Sequence, residues 1–442
     1  MPVRTTAVRL YGKRDLRLET FDLPAPKDDE ILAEVVSDSI CMSSHKAAEQ
    51  GPAHKRIPAD VARNPVILGH EFSGRLLKVG KKWADRFQAG QMYAIQPALN
   101  YMGSLDSPGY SYRYIGGDAT RILIPQEVMA MDCLLPYEGD AFFKASLAEP
   151  LSCIVGAFRA QYHYEPGSYE HQMGIREGGN CALLAGAGPM GLGATDIALH
   201  GARKPKRLLV TDIDEAKLAR ARGFFPPEEA AKQGVEVTFL NTQHLRAGTQ
   251  PGASGADPLV ELVRKLTEGM MMDDVFVFYP AEELVQEGDA LLGRNGCLNF
   301  FAGPSRNDFL ARLNFYNVHY EGHHVVGTSG GNTEDMRVSL KFMSEGRINP
   351  AAMVTHVGGL DSAAQTILDL PGIPGAKKLI YTHVSMLLTP IDEFGCRAES
   401  AQEPLKSIFV ELDRLVRAGN GLWSVEAERF LLSRRDLLLP EE

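Results

Sequence analysis

Four side chains in the first third of the chain are of the types that hold a catalytic metal: Cys41, His70, Glu71 and Glu149. A thiolate, an imidazole and a carboxylate together bind zinc and leave one position open for water or substrate. Each is ordinary alone, since a lone cysteine is usually a small buried hydrophobe and a turn histidine is usually solvated. Downstream, Gly186-Ala-Gly188-Pro189-Met190-Gly191 and then Asp212 form a second group, suited to a dinucleotide. The two groups together predict a metal-assisted hydride transfer on an alcohol or sugar.

The glycine pattern gains weight from its surroundings. It follows a strand-like run, Cys181 to Ala185, and opens a helix at Pro189 that stops near His200-Gly201. Gly186 permits a tight turn, Gly188 lets the backbone approach a pyrophosphate, and Gly191 lets the helix pack on the strand. The amino-terminal N–H groups of that helix then face the phosphates. About twenty residues on, the next strand ends at Asp212, whose carboxylate can accept from both ribose hydroxyls and repel a 2′-phosphate. NAD(H) is therefore expected ahead of NADP(H).

The elements that must position these groups change style along the chain. Up to about residue 150 the pattern is of short strands and turns, including Ile31-Leu-Ala-Glu-Val-Val36, Val66-Ile-Leu68 and segments from Phe72, Met92 and Arg121. From Gly179, strands alternate with helices: strands begin at Cys181, Arg207, Val235, Val275, Cys297 and His324, and one helix covers Leu259 to Glu268. Such alternation predicts a parallel doubly wound sheet. Gly248 to Pro258 reads as a flexible insertion. In the tail, Leu405, Ile408, Phe409, Leu412, Leu415 and Val416 recur at helical spacing. Gly419-Asn-Gly421 ends that helix, and a second runs from Ser424 to about Arg434. Their apolar face must be covered, by the chain's own fold or by a second copy.

Cys41, Gly69-His-Glu-Phe-Ser-Gly74, the turn Val79-Gly…Gly90, Glu149-Pro-Leu-Ser and the glycine run occur in that order. The set resembles the medium-chain, zinc-dependent dehydrogenases, most closely the sorbitol (polyol) dehydrogenase branch, over roughly residues 5 to 385. The resemblance implies an α/β protein in which a GroES-like, irregular β catalytic domain accompanies a Rossmann domain. The expected boundaries are 1–160 for the first part of the catalytic domain, 161–333 for the Rossmann domain and 334–390 for the return. Residues 391–442 form a helical extension that the resemblance does not explain. It further implies one zinc held by Cys41, His70 and a glutamate, leaving open whether Glu71 or Glu149 is bound directly. Residues 97–115, where relatives often carry four cysteines, have none, so no second zinc is expected. Ser43 keeps the hydroxyl expected to pass on the alcohol proton. Lys46 stands where a relay histidine is often seen, and His45 lies one place earlier.

Within that branch the length is similar to the sugar-phosphate reductases. The substrate is thus expected to be a polyol or ketose, including sugar phosphates such as L-sorbose 1-phosphate. Lys55 and Arg56, in the run Lys46 to Arg56 with Arg63 beyond, are candidates to hold a phosphate, since Arg binds it through two parallel bonds and Lys adds a point charge. A solvated basic loop is the plainer reading. Other readings are a different alcohol or threonine-type dehydrogenase, or a dinucleotide-binding protein without turnover. The complete metal set argues against the last.

Composition narrows the rest. The chain has 442 residues, enough for two domains, and a formal charge of −10, which disfavours nucleic acid as a partner. No run approaches the roughly 20 apolar residues of a membrane span. Six dispersed cysteines suit a reducing cytoplasm and no disulfide framework. A homo-oligomer is expected.

Overall fold

The computed structural model describes residues 3–165, 167–248, 257–304 and 306–438. Residues 249–256 of the expected flexible insertion lie outside the described residues. The chain divides into two compact units. One comprises Met1–Glu149, Met343–Glu345 and Val354–Glu442, and the other Pro150–Phe342 and Gly346–Met353.

The first unit is built around the strand Ile31–Ile40. Its side chains are buried almost without interruption, as expected of a strand covered on both faces. Ile31, Ala33 and Val35 pack with Ile67, Phe72 and Ile122, while Ile40 joins a second core with Val8, Ala47, Leu68 and Ile380. The sheet runs Thr389–Pro390, Val354–Gly359, Lys377–Tyr381, Ile31–Ile40, Phe72–Val79, Met92–Ile95, Leu134–Pro136, with Arg121–Ile124 also paired to Ile31–Ile40. A three-stranded sheet of Asp15–Leu23, Val3–Gly12 and Val66–Ile67 completes the β part.

The tail forms the helices Phe394–Ser400, Leu405–Ala418 and Val425–Ser433. Its apolar face is covered within this same unit. Ile408, Phe409, Leu412 and Val416 are buried, and Phe394 stacks on Phe409 with ring centroids 5.8 Å apart. Trp423 is among the largest fully buried side chains.

The second unit is a six-stranded parallel sheet. Its order is Glu236–Asn241, Arg207–Asp212, Asn180–Leu184, Met272–Val277, Leu292–Phe300 and His324–Gly327. The chain order reverses beside the first of these strands in sequence, Asn180–Leu184. Ligands of open α/β sheets bind outside the carboxyl ends of the strands at such a point. Among the described residues, no helix is long and apolar enough to cross a membrane.

Candidate active site

Sheet register brings the metal-type residues together. Ile31–Ile40 pairs antiparallel with Phe72–Val79, Asp38 lying opposite Phe72, so the end of one strand meets the segment that leads into the other. Ser39 N–H donates to the Glu71 carbonyl at 2.9 Å and locks that meeting. Cys41 then sits at the amino end of the helix Met42–Gln50. Gly69, with φ of +89°, makes the turn into His70; a Cβ there would lie 2.7 Å from the Asp118 amide nitrogen. As a result, ligand atoms of Cys41, His70 and Glu71 all lie within 4.8 Å of one another. Glu149, half-buried, is near enough for its charge to act on Cys41 but is outside that trio.

The electrostatics of this cluster depend on Lys377, at the start of Lys377–Tyr381. That strand is antiparallel to Ile31–Ile40, with Lys378 opposite Ile40. Lys377 Nζ donates to both Glu71 oxygens at 2.6 Å. Burial acts to raise the Glu71 carboxyl, but Lys377 and His70 outweigh it and hold the group below its ordinary value. Burial, helped by the Glu71 charge, pushes the Cys41 thiol up to about 12, and burial pulls His70 down to about 4. A neutral imidazole is the form that binds a metal, and a cation at the cluster would drive the thiol to ionise. The donor set and spacing therefore fit zinc.

Tyr110 connects the cluster to the basic segment. Its hydroxyl is 3.3 Å from His70 Nε2, while Ser44 Oγ is 3.3 Å from His70 Nδ1. Burial raises the Tyr110 hydroxyl well above its ordinary value, so it stays protonated, and Ser43 hydrogen-bonds to it. The Arg56 guanidinium lies 5.4 Å from the centre of the Tyr110 ring and reaches Ser107 Oγ at 3.4 Å. His54 stacks on the same ring. Burial lowers the basicity of His54, and the charges of Arg56, Lys55 and Lys46 lower it further. Ser43 and Lys55 are exposed, and His45 Nδ1 is engaged by the Ile367 carbonyl at 2.8 Å.

In the second unit the glycine run makes the turn between Asn180–Leu184 and the helix Pro189–His200. A Cβ on Gly191 would lie 2.0 Å from the Gly186 carbonyl oxygen, so that close approach requires glycine. At Gly188 the space a Cβ would take is open, with nothing within 4 Å, and Pro189 takes the first helical place, where its missing N–H costs nothing. Met190 follows in the first turn. Asp212 ends its strand beside this turn, accepting from the amides of Ala187, Ile213 and Asp214 at 3.3, 2.8 and 3.1 Å. The arrangement fits a dinucleotide's pyrophosphate and ribose.

L-sorbose 1-phosphate reductase of Klebsiella pneumoniae is 49% identical over 432 residues, covering 98% of each chain. The chain belongs to the medium-chain, zinc-dependent dehydrogenases. Mannitol-1-phosphate 5-dehydrogenase of Aliivibrio fischeri is 46% identical over 99% of each chain. Sorbitol dehydrogenase of Bos taurus is more distant, at 28% over 63% of this chain and 73% of its own. Among solved structures, 2R,3R-butanediol dehydrogenase from Bacillus subtilis shares the fold, with a TM-score of 0.65 and 18% identity. That likeness covers 86% of this chain and 99% of the other. No family model matches the chain. This dehydrogenase is an oxidoreductase acting on alcohol groups or the matching carbonyls.

Two residues at the candidate metal cluster of the dehydrogenase carry no signal in the sequence. Lys377 lies 306 positions from Glu71, and nothing local distinguishes it from a surface lysine. Tyr110 lies in the cysteine-free segment 97–115, whose aromatic residues have no telling spacing. For both, the pairing of distant strands and loops is the information that was lacking.

Proposed function

We propose that the chain transfers hydride between NAD(H) and a phosphorylated polyol or ketose, using one zinc held by Cys41, His70 and Glu149. The observation that carries this reading is that Tyr110 touches His70 and also lies under the Arg56 guanidinium. A substrate seated beside His70 would thus have a cation within reach for its phosphate. The names of two relatives matched over nearly their full length, which specify L-sorbose 1-phosphate and mannitol-1-phosphate, support a phosphorylated substrate.

When bound, zinc supplies Lewis-acid polarisation of the substrate oxygen and the nicotinamide supplies or accepts the hydride. The chain's own residues do the rest. Lys377 holds both Glu71 oxygens, which supports Glu149 as the direct ligand and Glu71 as a balancing charge. Tyr110, kept protonated, donates toward the reacting oxygen and accepts from Ser43. Ser43, exposed and bonded to Tyr110, hands the proton outward, with Lys46 or His45 beyond it. Asp212 selects NAD(H) over NADP(H) through the ribose hydroxyls. A homo-oligomer is supported by the edge strand His324–Gly327, where Val325 is 46% exposed, and by exposed Tyr316 and Tyr320 nearby in sequence.

Steady-state kinetics with a panel of sugars and their phosphates test the reading. The double variant Lys55→Gln, Arg56→Gln is expected to raise KM for the phosphorylated substrate by about tenfold or more, the scale of a lost charge-assisted bond. KM for the unphosphorylated sugar should change little. Equal losses for both would leave the segment as surface and favour a plain polyol.

A further inference from the structure

The helical tail is the part of the chain that the resemblance to sorbitol dehydrogenases leaves without a role. Its only deeply buried acid, among the described residues, is Glu428 in Val425–Ser433, which is 1% exposed. Both oxygens are used. Glu428 Oε2 accepts from Phe142 N–H at 2.7 Å, and Oε1 accepts from Phe143 N–H at 2.8 Å and from the Tyr381 hydroxyl at 2.8 Å. Trp423 Nε1 donates to the Tyr381 oxygen at 2.8 Å, so two tail residues close on Tyr381.

These bonds fill a local gap. Phe142 and Phe143 open the helix Phe142–Ser146, whose capping residue is Ala141, with no side chain able to accept from the first amides. Glu428 supplies that acceptor from 286 positions away. The capped helix runs into Leu147 and then the helix Ala148–Ala160, which carries Glu149 in its first turn. Ser146 Oγ in turn lies 3.1 Å from Ser37 Oγ, on the strand that leads to Cys41. Tyr381 ends the strand that begins with Lys377, the partner of Glu71. One tail carboxyl therefore grips both segments that deliver charged groups to the metal cluster. Placing an acid there is costly: burial pushes Glu428 up to about 7, against the pull of the amides and Tyr381. An apolar side chain would avoid that cost but leave the Phe142 and Phe143 amides and the Tyr381 hydroxyl without this acceptor.

We propose that the tail is a positioning element of the metal centre, with Glu428 setting the approach of Glu149 and the placement of Lys377 through the Phe142–Ser146 helix and Tyr381. The inference rests on the reading of Glu149 as a metal ligand. Glu428 itself touches no reacting atom; it is a positioning residue.

The test uses the zinc-loaded full chain and the variants Glu428→Gln, Tyr381→Phe and Glu149→Gln. Gln keeps one acceptor but turns an N–H toward a helix amide, and Tyr381→Phe, which removes one donor to Glu428 together with the acceptor of Trp423 Nε1, serves should Glu428→Gln fail to fold. Zinc release to a chromogenic chelator, the visible spectrum of the cobalt-substituted protein, and kcat are measured well below the unfolding midpoint. NADH affinity serves as the control from the other unit. Zinc release about tenfold faster, the lower end of the effect of losing a partner behind a ligand, with a changed cobalt spectrum, lower kcat and unaltered NADH affinity, is the expected result. Tyr381→Phe should shift in the same direction by less. A lowered unfolding midpoint with wild-type zinc release and cobalt spectrum would overturn the proposal and leave the tail as packing. If Glu149→Gln itself leaves zinc release unchanged, the ligand reading fails, and the inference fails with it. Faster release from Glu149→Gln but not from the Glu428 and Tyr381 variants overturns the positioning role alone.

Discussion

Lys377 and Glu71 form an ion pair almost sealed from solvent, with their side chains 8% and 1% exposed and Nζ 2.6 Å from each carboxylate oxygen. Both charges have been taken out of water, and each is tolerable only because of the other. The pair stands beside Cys41 and His70, so it sets the charge of the candidate metal cluster as well as its shape.

Breaking the pair from one side is expected to be severe. Lys377→Met should cost about 3–5 kcal/mol of stability, the usual penalty for leaving a buried charge alone. The double variant Lys377→Met, Glu71→Gln should recover much of it. Urea unfolding of the three proteins checks this, and equal losses in single and double variants would show that the lysine matters only as packing.

Cys41→Ala and His70→Ala are expected to lose the metal and turnover while keeping dinucleotide affinity, because the two sets of residues belong to different compact units. The wild-type protein should carry about one zinc per chain, lose activity to a chelator and regain it with zinc. Metal analysis alongside NADH fluorescence titration decides the point; full activity in a metal-free preparation would refute the mechanism.

Asp212→Ser should shift cofactor preference toward NADP(H) by ~1–3 kcal/mol in relative terms, the worth of a hydrogen bond to a charged group. Its carboxylate is already held beside the glycine turn by three backbone amides, so little rearrangement is needed to meet a ribose. KM ratios for NADH and NADPH measure the effect, and an unchanged ratio would move the selectivity to another residue.

The second unit should also carry a pH-dependent contribution to stability. His163 Nε2 lies 3.1 Å from Asp274 Oδ1 and its Nδ1 3.1 Å from the Asn295 carbonyl, so both nitrogens face acceptors and the imidazolium is the form that satisfies both. Burial acts to lower its pKa, but the hydrogen bond and charge of Asp274 raise it above the ordinary 6.5. A raised folded-state pKa means that the stabilisation is complete below about pH 6.5 and is lost as pH rises through the folded value. Wild type should therefore exceed His163→Gln most in acid, with the gap closing toward alkaline pH. Unfolding curves for both proteins across that range test it, and a gap that widens with pH would reverse the assignment.

The strand, glycine turn and helix of the candidate dinucleotide site were legible in the sequence because their determinants are local. A buried strand, a glycine turn, a helix with proline at its first position and an acid ending the next strand lie close together along the chain. The physics that demands each is short-range: the Gly191–Gly186 approach involves neighbours on one turn. The metal residues could be nominated by type and order, but Cys41 and His70 meet only because Ile31–Ile40 pairs with Phe72–Val79 in one register. Lys377, Tyr110 and Glu428 left no such trace. A lysine starting a strand, a tyrosine in a loop and a glutamate on an amphipathic helix all read as ordinary surface or core residues. What turned them into a charge partner, a bridge and a distant helix cap was the burial and antiparallel pairing of segments far apart in the chain. The sequence by itself thus determined the two chemistries and most of the strands and helices. The tertiary structure alone decided which charges neutralise one another, because an ion's partner in a protein interior is chosen by where the backbone has already been forced to run.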